Sequence, residues 1–323
     1  MSFFDKLFFR SPAASAATAA SSVRPTTELS RLNGAHAPEL RIEAGLSSDP
    51  GCVREINEDC ARIIRPTTPE SLARHGLLAV VCDGMGGHEA GEIASRLAVE
   101  TIVKRFEEED GDPLVLLPRA LQAANRAIFD AADRNHKLKG MGTTATALIL
   151  RGGLAYSAHV GDSRLYLIRA GEIFLMTEDH SAVMQLVRQG VITREEARHH
   201  PDKNVISRAL GSHRDVQVTG WPQPFAVLPG DRFLLCSDGL YDLVGDDVLL
   251  GTARDVHPQV ACDRLVTLAR EAGGHDNISV AILAMNSGDA GHAGSASGSS
   301  SEGTAGDAPA SRVKETRGVE IPQ

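Results

Sequence analysis

Acidic residues stand at the ends of apolar runs or in tight turns at five places in this sequence. The segments are Asn57-Glu-Asp59, Asp83-Gly-Met-Gly-Gly87, Gly161-Asp-Ser-Arg164, Ser237-Asp-Gly239 and His275-Asp-Asn277. Asp83 follows the apolar run 77–82, Asp238 follows 233–236, and Asp276 precedes 278–283. Carboxylates at strand ends face the rim of a sheet. Where several such ends meet, like charges repel and raise one another's pKa. Divalent cations neutralise such a cluster, and an all-oxygen donor set that keeps some water suits Mg or Mn rather than Zn. Glycine after aspartate, in Asp83-Gly84 and Asp238-Gly239, lets the backbone turn sharply and bring a carbonyl close to an ion. Taken singly each segment is weak, because a lone Asp-Gly is usually a turn. Gly161-Asp-Ser-Arg164 also reads as the turn of a hairpin, and Asn57-Glu-Asp59 as a solvated loop.

The elements that must position these acids alternate between two periodicities. Residues 77–82 form a continuous apolar run with β-branched members and predict a buried strand. Residues 92–108 place Ala94, Leu97, Ala98, Thr101, Ile102 and Phe106 on one helical face, and 114–136 repeat the pattern with Leu117, Leu121, Ala124, Ile128 and Ala131. Strands are predicted over 144–150, 154–160, 164–168, 173–177, 232–237 and 278–285, with a Gly-containing hairpin turn at 169–172 and a further helix over 257–270. Paired helices followed by hairpin-connected strands do not make a repeating βαβ sheet. They fit an α+β layered domain in which helix pairs cover antiparallel sheets.

The folded part spans about 41–286. The 323 residues suffice for a sizeable core. Residues 11–40 are rich in Ala, Ser, Thr and Pro and predict a flexible linker, so 1–40 is expected to be disordered. Residues 287–323 begin as Gly/Ser/Ala low complexity and are expected to be a disordered tail. At the start of the chain, Phe3, Phe4, Leu7 and Phe8 recur at helical spacing. They read either as a short docking helix or as a terminus that packs on its own domain.

Composition excludes several classes. Formal net charge is −9: residues 1–40 carry one net positive charge and 287–323 two net negatives, which leaves −8 in the span between. An acidic chain with 4% aromatics is a poor binder of nucleic acid. The five cysteines are odd in number and include no Cys-x-x-Cys, which fits a reducing compartment and a cytoplasmic protein. No apolar run is long enough to span a membrane, and Asp5 and Arg10 interrupt the apolar start as a signal peptide would not. After Gly84-Met-Gly-Gly87 a dinucleotide fingerprint would need glycine at Glu89, and neither a Walker loop nor a Gly-x-Ser-x-Gly elbow occurs.

In order along the chain, the acidic segments sit in eight longer strings. These are Val53-Arg-Glu-Ile-Asn-Glu-Asp59, Val81-Cys-Asp-Gly-Met-Gly-Gly-His88, Met141-Gly-Thr-Thr-Ala145, His159-Val-Gly-Asp-Ser-Arg164, Thr177-Glu-Asp-His-Ser181, Ser207-Arg-Ala-Leu-Gly211, Leu235-Cys-Ser-Asp-Gly-Leu240 and Gly274-His-Asp-Asn-Ile278. Together the sequence resembles the bacterial form of the type 2C metal-dependent serine/threonine protein phosphatases (PPM), over nearly all of 46–285. The resemblance implies a four-layer αββα sandwich, two antiparallel β-sheets flanked by helix pairs, with a flap subdomain over about 181–215. It implies two Mn2+ or Mg2+ ions per site, with Asp83 bridging them, the Gly84 carbonyl contributing, and Asp238 and Asp276 completing the set. Glu58 and Asp59 are expected to ligate or to hold ion-bound waters. Asp162 matches the acid used for a third, weaker ion, and Asn204 lies near a flap residue that approaches it. Arg54 matches the arginine that grips the substrate phosphate, so Arg54, Asp59 and Asp83 are the expected catalytic residues.

The implied chemistry is attack on phosphoserine or phosphothreonine by a hydroxide bridging the two ions, with no phospho-enzyme. Arg54 offers two phosphate oxygens a planar fork of donors. One position departs from eukaryotic members, which often carry His two residues after the bridging aspartate as a candidate general acid. Met85 stands there in this chain, and His88 reads as a solvent-facing loop residue. The implied partners are phosphorylated proteins, a cognate Ser/Thr kinase and its substrates, met by a monomer. An inactive relative serving as a binding module would have lost a metal-site aspartate, and all the matched acids are present. Bound cations would also cancel much of the −8 and stabilise the fold.

Overall fold

A run such as 77–82, apolar at every position, can be satisfied only where both faces of a strand are covered. The computed structural model describes residues 40–86 and 90–287, without the side chain of residue 198, and there the run is covered twice. In chain order the elements are β1 Leu40–Asp49, β2 Asp59–Ile64, α1 Pro69–His75, β3 Leu77–Met85, α2 Ala90–Glu108, α3 Pro113–Arg134, β4 Gly142–Thr143, β5 Ala145–Arg151, β6 Leu154–Val160, β7 Arg164–Arg169 and β8 Glu172–Leu175. There follow α4 Ala182–Arg188, α5 Arg194–Arg198, β9 Thr219–Gly220, β10 Phe225–Ala226, β11 Arg232–Cys236, α6 Asp238–Tyr241, α7 Asp246–Ala253, α8 Pro258–Glu271 and β12 Ile278–Ser287.

Two antiparallel sheets result. One runs β1-β12-β11-β7-β8. The other runs β10-β6-β5-β3-β2, with β4 paired to β3 and β9 to β6. Leu77, Ala79 and Val81 of β3 pack between the sheets against Leu165, Leu167, Phe233, Leu235, Ala281 and Leu283. The alternate residues Leu78, Val80 and Cys82 point the other way, onto Ala94, Ala98 and Ile102 of α2 and Leu117 and Leu121 of α3. On the far side, Tyr166, Leu234, Val280 and Ile282 meet Ala261, Leu265 and Ala269 of α8. The order is therefore helix, sheet, sheet, helix, the expected αββα sandwich. Each large apolar side chain buried here contributes about 1.5–3 kcal/mol.

Local signals set several boundaries. Asp112 caps α3 by accepting from the Leu114 N–H at 3.0 Å, and Pro113 starts the helix. The β7–β8 turn places Ala170 at φ 53° and Gly171 at φ 79°, so its first residue takes a left-handed conformation without glycine's freedom. β3 does not stop at Cys82 as the apolar run suggests. It continues through Asp83 and Gly84 to Met85, because Gly84 and Met85 pair with Thr143 and Gly142. Gly161-Asp-Ser-Arg164 is no hairpin turn, since β6 and β7 belong to different sheets. β1 and β2 are not among the strands predicted above: β1 alternates cleanly, turning Leu40, Ile42, Ala44 and Leu46 to the core, whereas β2 has no such pattern and is defined by its pairing with β3. The Phe-rich start, the linker up to residue 39, His88 and the tail from 288 lie outside the described residues.

Candidate metal centre

The acids reach one end of the sandwich by register and strand length. β2 begins at Asp59, which is the direct cross-strand partner of Asp83. In the other sheet, β11 ends at Cys236, so Ser237 and Asp238 emerge at the same end, and Asp276 lies two residues before β12. Hydrogen bonds close the gap between the sheets. Ser237 Oγ donates to Asp59 Oδ2 at 2.7 Å and accepts from the Ser279 N–H at 3.0 Å. The Glu58 N–H donates to Asn277 Oδ1 at 2.7 Å. The Asp238 carboxyl comes close enough to Asp83 for its charge to raise the Asp83 pKa.

Asp162 arrives from the crossing between the sheets. Gly161 sits at φ +105°, packed so tightly on Thr144 that a Cβ would lie 2.6 Å from that side chain. Thr144 ties this crossing to Asp83. Its N–H donates to the Asp83 carbonyl at 2.8 Å, its Oγ1 accepts from the Asp83 N–H at 2.9 Å, and the same oxygen lies 2.7 Å from Ser163 Oγ. Thr143 Oγ1 donates to the Asp83 carbonyl as well. Both the N–H and the carbonyl of Asp83 are thus held from the side of Thr143 and Thr144.

Gly84 has a different reason from the one its position after aspartate suggests. Its φ is not left-handed. A Cβ on Gly84 would meet the Gly91 carbonyl oxygen at 2.2 Å and the Glu58 carbonyl oxygen at 2.5 Å, so close packing of α2 on β3 demands the glycine. Gly91 in turn would put a Cβ 2.3 Å from Glu58 Oε1. The Glu58 carboxylate therefore sits against the N-terminus of α2, whose backbone favours its charged form.

Electrostatics record the crowding. Burial first, then the charges of Asp59, Asp238, Asp162 and Asp276, push the Asp83 carboxyl well above the usual range. Burial pushes Asp59 up to about 7 against the pull of its Ser237 hydrogen bond. Asp238 is pushed up to about 6 by burial and by Asp276. Asp162 is raised well above the usual range by burial and Asp238, and Glu58 is raised by burial against the pull of Arg54. Among the described residues, three buried oxygens, Glu58 Oε1, Asp59 Oδ1 and Asp162 Oδ1, have no hydrogen-bond partner. An orphaned buried carboxylate oxygen is costly. Among the described residues no three His, Cys, Asp or Glu side chains already close as a finished coordination shell. The donor set still fits divalent cations: oxygen ligands throughout, like charges held together, and lone pairs with no other acceptor role.

Arg54 comes to the same end on the loop after β1. Its Nη2 donates to Asp276 Oδ2 at 2.9 Å, so the guanidinium stands at the rim with part of its fork engaged. Asn277 anchors that loop, donating from Nδ2 to the carbonyls of Pro50 and Ile56, both at 3.0 Å. Thr144, Ser237 and Asn277 were given no role from sequence. Their only signal was position inside the strings that carry the acids. The segment from 181 holds α4 and α5, and its ends lie side by side, since the Ala182 N–H donates to the Val205 carbonyl and the Ser207 N–H to that of His180. Beside it is a cavity of about 460 Å³ lined by Asp162, Arg164, Asn204 and Tyr241. Asp162 and Asn204 thus border one space.

Comparison with known proteins gives concordant matches. The family described as protein phosphatase 2C matches residues 70–272. The serine/threonine protein phosphatase PstP of Mycobacterium tuberculosis is 38% identical over 244 residues, covering 75% of this chain, which spans 45% of that relative's length. The serine/threonine phosphatase stp of Listeria innocua is 34% identical over 253 residues, covering 76% of this chain and 96% of its own. A solved PstP catalytic domain in complex with two manganese ions superimposes with a TM-score of 0.65 at 37% identity, over 76% of this chain and 99% of that one.

Proposed function

This chain belongs to the protein phosphatase 2C family, and from that premise we propose that it is a metal-dependent protein serine/threonine phosphatase. The observation that carries the reading is the set of three buried carboxylate oxygens, on Glu58, Asp59 and Asp162, that have no hydrogen-bond partner among the described residues, beside the crowded carboxyls of Asp83 and Asp238. Asp83, Asp238, Asp276, Glu58, Asp59 and the Gly84 carbonyl would hold two Mn2+ or Mg2+ ions, and Asp162 a third. The bound ions supply a water acidified enough to attack phosphorus near neutral pH.

The chain's own residues do the rest. Thr143 and Thr144 hold the Asp83 backbone so that its carboxyl stays between the two sheets. Ser237 keeps Asp59 Oδ2 occupied and so leaves Oδ1 turned to the centre. Arg54 keeps donors beyond the one given to Asp276, and these suit two oxygens of a phosphoryl group. The segment from 181 and the cavity beside it border the approach and bound the residues that flank the phosphorylated side chain. Met85 offers no proton, so the leaving alkoxide takes one from solvent at the centre.

The substrates are phosphorylated proteins, and the chain opposes a serine/threonine kinase. Cytoplasmic placement is supported by the absence of any disulfide among the five cysteines. Among the described residues no helix is long and apolar enough to cross a membrane. The test is hydrolysis of a phosphothreonine peptide by chelator-stripped protein, with and without added Mn2+ or Mg2+. Metal-dependent release of phosphate is expected. Absence of turnover with either ion overturns the reading.

A further inference from the structure

One rung inward from Asp59 and Asp83, β2 and β3 set Cys60 directly opposite Cys82. Facing residues on antiparallel strands share a face, and successive residues alternate. The two thiols therefore share the face turned to α2, where Cys82 is buried and Cys60 packs at the margin. Two backbone facts give the type of rung. The Gly84 N–H donates to the Glu58 carbonyl at 3.1 Å, and Thr144 bonds Asp83 from the other side. Even-numbered residues of β3 thus bond toward β2, and Cys60–Cys82 is a hydrogen-bonded rung. Such rungs hold Cα atoms about 5.5 Å apart, inside the roughly 4.4–6.8 Å that a disulfide spans.

Both thiols are free. β2 is the edge strand of its sheet, so the half-buried Cys60 can be reached while Cys82 waits behind it. Closing the bond would draw the two Cβ atoms from about 5.5 Å toward about 3.8 Å. The neighbouring rung has to follow, and that rung is Asp59–Asp83. A disulfide under such strain is the labile, reducible kind.

We propose that Cys60 and Cys82 form a redox modification site, in which hydrogen peroxide joins them in a cross-strand disulfide that shifts Asp59 and Asp83 and weakens the cation centre. The Cys60 sulfur attacks one peroxide oxygen, the O–O bond breaks, and water leaves a sulfenic acid. The Cys82 sulfur then attacks the Cys60 sulfur, the S–O bond breaks, and a second water leaves. Two thiols give up two electrons and two protons, and hydrogen peroxide becomes two waters. A dithiol reductant reverses the bond by exchange. The disulfide stands on the register alone, whereas its effect on cations rests on the function proposed above.

The full chain, stripped of metal, is treated with hydrogen peroxide, and free thiols are then blocked and peptides sequenced by mass spectrometry. A Cys60–Cys82 linked peptide that dithiothreitol removes is expected, together with a Mn2+ affinity by calorimetry at least about tenfold weaker. Cys60→Ser should bind Mn2+ as the parent does and lose the response to peroxide. Peroxide that leaves both thiols free, or carries Cys60 to the sulfinic acid without a link, overturns the site. A linked peptide with unchanged Mn2+ affinity overturns the coupling. Protein that binds no Mn2+ before oxidation refutes the metal reading while the linked peptide still reports on the disulfide.

Discussion

Asp59 and Asp83 face each other across β2 and β3 in direct register, and each is held from behind by a hydroxyl residue of another strand. Ser237, at the end of β11, holds the Asp59 carboxylate, and Thr144, at the start of β5, holds the Asp83 backbone. Two carboxyls are thereby fixed side by side, with Asp59 Oδ1 left without a hydrogen-bond partner among the described residues.

Asp83→Asn removes one carboxyl from this cluster and one of the proposed ligands from the centre. Phosphatase activity at saturating Mn2+ is expected to fall by more than about 100-fold. The metal-free protein should melt higher than the parent, because less buried repulsion remains. Steady-state kinetics and thermal melts of chelator-stripped protein read both effects. A lower melting point with retained activity would contradict the assignment.

Ser237→Ala leaves Asp59 Oδ2 without its donor. Mn2+ affinity should drop by about 10–100-fold, as for other groups that orient a metal ligand. Titration calorimetry measures this directly. Ser237→Thr keeps the hydroxyl and should recover most of the affinity, so equal losses in both variants would point to packing instead.

Arg54→Ala should raise KM for a phosphothreonine peptide more than it lowers kcat, since a fork binding phosphate acts in ground and transition state alike. Loss of the Asp276 contact predicts little change in the melting point, because the pair is solvent-exposed. An unchanged KM would remove Arg54 from the phosphate.

Stability of the metal-free protein should fall as pH rises. Asp59 and Asp238 are pushed up to about 7 and about 6, above the usual 3.9 of an unfolded aspartate. Between about pH 4 and 7 the native state therefore holds more protons than the unfolded chain, and stability declines through that window, with Asp83 and Asp162, also raised, acting in the same direction. Melting temperatures of stripped protein at pH 5 and pH 8 test the direction. Added Mn2+ should raise the melting point more at pH 8, where it displaces fewer protons. A melting point that climbs from pH 5 to 8 without metal would overturn this account.

Ala170→Gly relieves a left-handed residue in the β7–β8 turn, at φ 53°. The gain should be about 1 kcal/mol, or about 2–4 °C in Tm, with activity unchanged. Differential scanning calorimetry reads it.

The sequence by itself determined the family and most of the framework, and it supplied the candidate residues of the site. Its acids stood out because they interrupt apolar runs, and those runs, at periods near 2 and 3.6, marked the strands and helices that carry them. Asp83 after Leu77-Leu-Ala-Val-Val-Cys82 could be read without knowing its neighbours in space. What only the tertiary structure decided is register and approach. β2 has a weak local pattern, and pairing with β3 is what makes it a strand. Gly84 read as a turn residue, yet it is glycine because the Gly91 and Glu58 carbonyls press on the position where a Cβ would be. Ser237, Thr144 and Asn277 act across 178, 61 and 219 residues of chain, respectively. Cys60 meets Cys82 because of the alignment of two strands. The reason is common to all of them: periodicity is a property of neighbours along the chain, whereas a hydrogen bond or a van der Waals limit between distant segments exists only once the sheets have closed.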